Sequence, residues 1–182
     1  MAIWSAEVKV DLHEVSLKNK PTEMLAASPK GTVPVLCLPN KVIDESLEIM
    51  RWALAINDPE CWLSQYSDEQ ERDAYELIDK NDFEFKSWLD KYKYAVRFPE
   101  HPESYYRARC VEFLAELEHR LEKNNFLSTN KLSFLDVAIF PFVRQFSMVD
   151  IQWFETCEYR SLRSWLDGIL GLALFKDIMR KN

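Results

Sequence analysis

The chain has 182 residues, 47% of them hydrophobic and 29% charged, and its 30 acids against 23 bases give a net charge of −7. That length holds one large or two small domains with a real core, and no apolar run approaches the roughly 20 residues that span a bilayer. The acidic balance argues against a nucleic-acid binder, whose affinity comes largely from clustered Lys and Arg. Only Gly31, Gly168 and Gly171 are glycines, which excludes both glycine-rich phosphate loops. Cys37, Cys61, Cys110 and Cys157, like His13, His101 and His119, are dispersed without ligand spacing, so reduced thiols and no metal are expected. The opening residues lack the basic start and apolar stretch of a secretory signal, and a cytoplasmic location is the expectation.

In chain order, Val8-Lys-Val-Asp-Leu-His13 alternates apolar and polar, the period of a half-buried strand. Pro21–Ala27 has room for a short helix, stopped near Ser28-Pro29 because the residue before a proline is pushed out of the helical region. Val33–Leu38 and Lys41–Asp44 read as two strands around a tight turn at Pro39-Asn40. Ser46 then caps a helix to about Ile56 that carries Leu47, Met50 and Leu54 on one face. A boundary is expected in Asn57–Leu63.

Beyond that boundary the patterning is helical. Ser67-Asp-Glu-Gln70 has capping-box spacing and opens a long helix in which Ile78, Phe85, Trp88, Leu89 and Tyr92 recur at helical intervals. A second helix, from Glu103 to Lys123, carries Val111, Leu114, Leu117 and Leu121, and the two apolar stripes predict an antiparallel pair. In Leu132–Arg144, Ser133 is an N-cap answered by Asp136 at the third helical position. The residues that follow are apolar nearly all round, which predicts a buried central helix, kinked or strained at Pro141.

Ser28-Pro-Lys-Gly-Thr-Val-Pro-Val-Leu36, Asp44-Glu-Ser46 and the Ser133-x-x-Asp136 box together make the chain resemble the cytosolic glutathione transferases. Leu17-Lys-Asn-Lys-Pro21 and Phe140-Pro141-Phe142 are most similar to the omega-type, cysteine-using branch and related bacterial proteins. The resemblance implies an α/β plus all-α fold: a thioredoxin-like glutathione-binding domain over residues 1–58, then the family's all-helical C-terminal domain over residues 64–182. It implies glutathione as cosubstrate, no metal, and a small electrophilic or disulfide substrate. A homodimer is expected as well, since family members are commonly dimers.

Within that resemblance, Pro34 is the cis-proline that leaves the main chain of Val33 free to pair with the cysteinyl unit of the tripeptide. Ser46 and the amides of its helix terminus take an α-carboxylate, Glu45 faces the α-ammonium, and Lys20 faces the glycyl carboxylate. Trp88, Tyr92 and Arg97 line the pocket for the electrophile. Each residue also has a plainer reading: Pro34 as a turn, Ser46 as a cap, Glu45, Lys20 and Arg97 as solvated charges, and Trp88 and Tyr92 as core.

The family's thiol-activating residue, a Cys in the omega-type branch and a Ser or Tyr elsewhere, sits on a first strand and helix turn ahead of the segment that Met1–Ala6 resembles. The expectation is therefore a thioredoxin-like domain without its first strand and nucleophile. Cys37, Cys61, Ser5 and Tyr66 do not replace the nucleophile, so the chain as written should bind glutathione weakly at most and not turn it over. The alternative is a non-catalytic module of the same fold that binds a protein partner through an open sheet edge or a helical face.

Overall fold

Two short strands and three helices make up Met1–Glu60, the first of two units in the computed structural model, which describes residues 1–180; the second unit begins at Cys61. Helix α1 (Ala2–Ser5) packs on helix α3 (Ser46–Ile56), and α2 (Thr22–Ala27) lies between them in sequence. The α2 helix stops where expected, with Ser28 extended ahead of Pro29. Strands β1 (Leu36–Leu38) and β2 (Lys41–Ile43) form an antiparallel hairpin in the register Leu36↔Ile43, Cys37↔Val42 and Leu38↔Lys41. Val33–Val35 stand outside the ladder, and the Val33–Pro34 bond is cis; Pro34 has no amide to donate to a neighbouring strand.

The strand expected over Val8–His13 does not form, and Val10 and Leu12 are exposed. Alternation records which faces a segment offers, but a strand also needs a neighbour to take its backbone bonds. Among the described residues β1 and β2 pair only with each other.

Glu45, not Ser46, is the N-cap of α3: its backbone is extended (φ −111°, ψ 128°), and its carbonyl accepts the amide of Ile49 at 3.0 Å. The buried face also differs from the one expected. It consists of Ile49, Ala53 and Leu54, with Leu47 and Met50 half-buried.

In the second unit, α4 (Asp68–Lys80) opens on the expected box: the amide of Gln70 donates to Ser67 Oγ at 3.3 Å and the amide of Ser67 to Gln70 Oε1 at 3.0 Å. The long helix then passes through a single π-helical turn, Asn81–Phe85, into α5 (Lys86–Lys93). Asn81 is fully buried there, and its Oδ1 lacks a hydrogen-bond partner. Helix α6 (Glu103–Leu121) packs on α5. The pairs Asp73–Arg120, Lys80–Glu116 and Trp88–Tyr106 show that α6 runs antiparallel to the α4–α5 rod.

Helix α7 (Phe134–Ser147) is the buried centre of this unit, in contact with α4, α5 and α9 (Arg160–Gly171). It runs on through Pro141, which occupies an exposed position. The short helices α8 (Ile151–Thr156) and α10 (Ala173–Ile178) complete the bundle.

The expected box at the start of α7 gathers more than its own turn. Asp136 is fully buried; its Oδ2 accepts from the Ser133 amide at 3.0 Å and the Ser133 hydroxyl at 2.5 Å, and its Oδ1 from the Leu127 amide and the Trp165 indole, both at 2.9 Å. Burial pushes the carboxyl above the usual carboxylate range, against the pull of those four donors. They are what makes so deeply buried a carboxylate tolerable.

Candidate functional site

The loop that joins α2 to β1 is fastened to the corner where β2 meets α3. Gly31 has φ +61°, a conformation that costs a side-chain-bearing residue on the order of 1–2 kcal/mol, and its amide donates to the carbonyl of Ser28 at 3.0 Å. A Cβ at Gly31 would come within 3.1 Å of Leu25 Cδ2 and 3.2 Å of Lys20 Nζ, so the Lys20 side chain lies directly against this turn. The hydroxyl of Ser28, a residue only 1% exposed, donates to Asp44 Oδ2 at 2.8 Å. Lys30 Nζ donates to Asp44 Oδ1 at 3.2 Å and to Glu45 Oε1 at 2.6 Å. The Ser28 hydroxyl, then Lys30, holds the Asp44 carboxyl below its ordinary range, and Glu45, then Asp44, raises the Lys30 ammonium.

The turn leads directly into the exposed Val33 and the cis Pro34. At the other end of the hairpin, Glu45 has ordinary extended backbone, and Ser46 is the first helical residue of α3. The amides of the first turn there have no helix carbonyl to pair with, and the helix polarity favours a negatively charged acceptor at such a terminus. Lys20, Val33, Pro34, Glu45 and Ser46 thus sit in one unit, around one loop and one helix terminus. A shallow groove of about 560 Å³ runs along β2 and α3, lined by Asp44, Glu45, Glu48, Arg51 and Trp52 among others. Of Lys20, Val33, Pro34, Glu45 and Ser46, only Glu45 lines it.

The residues expected to line an electrophile pocket lie in the second unit and point to different surroundings. Trp88 is half-buried, stacked on Tyr106 and edge-on to Tyr105, with Lys91 Nζ 4.6 Å from its ring and the Arg109 guanidinium 5.3 Å away. Tyr92 is buried against Phe146, with a ring separation of 5.2 Å. Burial pushes its hydroxyl pKa up, opposed by neighbouring Arg107. Arg97 is exposed and lies over the Tyr94 ring at 4.6 Å.

The sequence matches the family model "Glutathione S-transferase, N-terminal domain" over residues 2–60 and "Glutathione S-transferase, C-terminal domain" over residues 69–168. The chain belongs to the glutathione S-transferase family. Its fold matches solved members of that family. BphK, a bacterial glutathione S-transferase solved as a ternary complex, aligns with a TM-score of 0.81 at 17% identity, over 98% of this chain and 90% of BphK. Glutathione S-transferase I bound with lactoylglutathione aligns with a TM-score of 0.77 at 18% identity, over 97% and 89%. The maize glutathione S-transferase I in complex with an atrazine glutathione conjugate aligns with a TM-score of 0.75 at 17% identity, over 97% and 87%. No curated protein sequence matches the chain significantly.

In this glutathione S-transferase chain, the sequence alone points to no role for three polar residues at the loop and corner: Ser28, Lys30 and Asp44. All three lie inside the two motifs that carry the resemblance, so the signal was present, but their mutual bonding spans 14 to 16 residues and leaves no local pattern. Among the described residues no group of three or more His, Cys, Asp or Glu is placed to hold a metal ion, and no helix is long and apolar enough to cross a membrane.

Proposed function

We propose that this member of the glutathione S-transferase family binds glutathione through its first unit. The main chain of Val33 pairs with the cysteinyl unit, Ser46 and the first amides of α3 take the α-carboxylate, Glu45 takes the α-ammonium, and Lys20 the glycyl carboxylate. The observation that carries this reading is the union of the cis Val33–Pro34 bond and the exposed Glu45–Ser46 helix terminus at the two ends of one fastened loop and hairpin. The ligands named with two of the related structures, lactoylglutathione and an atrazine glutathione conjugate, support glutathione and its S-conjugates as the ligand class. Trp88 and Arg97 are assigned to the side that receives the electrophile or mixed disulfide, whereas Tyr92, only 1% exposed, takes its plainer reading as core; the omega-like bacterial branch, a cytoplasmic location and a homodimer belong to the same reading.

The chain is further read as lacking the thiol-activating nucleophile. Burial raises the Cys110 thiol to about 12 and the Tyr66 hydroxyl to about 12, and the latter accepts the Leu135 amide at 3.2 Å as part of the second unit's scaffold. Cys37 lies on β1, and Ser5 is enclosed in the α1 helix. Calorimetric titration with glutathione tests the binding half. Glu45→Gln and Ser46→Ala should each weaken affinity by about 5- to 10-fold, the loss of one charged or helix-terminal contact, and unchanged affinity in both removes the site assignment. Conjugation of a small aromatic electrophile should run no faster than without protein; turnover typical of the family would overturn the second half.

A further inference from the structure

Lys30 is paired with a carboxylate of the proposed site. Its Nζ is 2.6 Å from Glu45 Oε1, the carboxylate assigned above to the α-ammonium of glutathione, and the same Nζ reaches Asp44 Oδ1 at 3.2 Å. Asp44 is fixed from its other oxygen by the buried Ser28 hydroxyl at 2.8 Å, so of the two carboxylates it is the anchored one. Glu45 and Lys30 remain solvent-accessible, their side chains 65% and 54% exposed. The arrangement is an ammonium held between a fixed carboxylate and a displaceable one.

Resting on the glutathione-binding reading, we propose that Lys30 is a specificity-determining placeholder: it neutralises Glu45 in the empty site and retreats onto Asp44 when a ligand α-ammonium takes its place. The exchange trades one ammonium–carboxylate pair for another. The Lys30–Asp44 pair survives it, so Asp44 keeps its ammonium in both states. Three consequences follow from the geometry. A ligand that brings its own ammonium pays only for breaking an exposed ion pair, which is weak. A ligand without one gains nothing at Glu45, which Lys30 already satisfies. In the empty site Lys30 spans both carboxylates, so its release from Glu45 does not require its release from the corner.

The test is calorimetry with two probes, glutathione and its N-acetylated form, on the unaltered chain, Lys30→Met and Lys30→Arg. Removal of the competitor should tighten glutathione binding by about 2- to 5-fold, the strength of an exposed ion pair. N-acetylglutathione, which has no ammonium, should bind Lys30→Met no better than the unaltered chain, so the preference for the free ammonium widens. Lys30→Arg should behave like the unaltered chain. If Lys30→Met weakens glutathione, Lys30 is itself a ligand contact and the placeholder role is wrong; if it tightens both probes equally, or leaves both unchanged, there is no exchange at Glu45. Absence of glutathione binding in the unaltered chain and in Lys30→Met alike would instead overturn the binding reading on which the proposal rests. Far-ultraviolet circular dichroism identical across variants is expected because Lys30 is exposed and outside every helix and strand.

Discussion

Gly31 concentrates two constraints in one position. Its φ of +61° disfavours any residue with a Cβ, and that Cβ would press on Leu25 at 3.1 Å and Lys20 at 3.2 Å. Gly31→Ala is expected to lower the unfolding free energy by about 1–2 kcal/mol in urea titration and to weaken glutathione binding by moving Lys20; a variant as stable as the parent would show that the turn relaxes freely. Single residues were also where the sequence spoke most clearly. Val33-Pro34 and Glu45-Ser46 stood out as motifs, and the structure places them at two ends of one loop and hairpin. The hydrogen bonds that tie Lys30 and Ser28 to that corner could not be read in advance. An exposed lysine and a serine before a proline look the same in sequence whether they meet a carboxylate or water.

Helix signals are local, and they were legible for that reason. The boxes at Ser67 and Ser133 and the apolar recurrence of the helices that follow depend on residues three or four apart, which share a helix face whatever the rest of the chain does. The strand at Val8–His13 depended on a partner that alternation cannot announce. The π-helical turn at Asn81–Phe85 was hidden because it shifts one turn within an apolar stripe that otherwise continues.

What binds helix to helix is partly ionic. Arg120 on α6 donates to both oxygens of Asp73 on α4, at 2.6 and 2.7 Å, and holds that carboxyl below its ordinary range. A depressed carboxyl pKa contributes stability that is present above the unfolded-state value and is lost as pH falls through the folded-state value. Asp73→Asn should therefore melt below the parent near neutrality, with a gap that holds from about pH 7 down to about 5 and narrows as pH falls below the unfolded-state value of about 4 toward the lower folded-state value. A gap that does not narrow there would assign the difference to something other than the ion pair.

Across the whole molecule the buried apolar side chains are unequally shared. In residues 1–60 they are Ala2, Ala6, Ile49, Ala53 and Leu54, three of them alanines, whereas the second unit buries Trp62, Phe85, Tyr92, Phe134, Phe140, Phe146 and many aliphatics. A two-stranded hairpin with so little apolar area is marginal alone. Residues 61–182 expressed separately are expected to melt cooperatively by circular dichroism, and residues 1–60 expressed separately to show no cooperative transition; a cooperative melt of the shorter piece would mean that its core is better than its burial indicates.

Asp136 ties the second unit together at graded separations along the chain, reaching Ser133 at 3 residues, Leu127 at 9 and Trp165 at 29. Loop-closure entropy grows only logarithmically, by about 0.6 kcal/mol per doubling of length. One carboxylate is therefore reached through a ladder of loop closures, the shortest cheapest, and each contact already made confines the side chain that the next must find. The indole of Trp165, the most remote donor, closes the longest loop onto an acceptor whose orientation its nearer neighbours have settled.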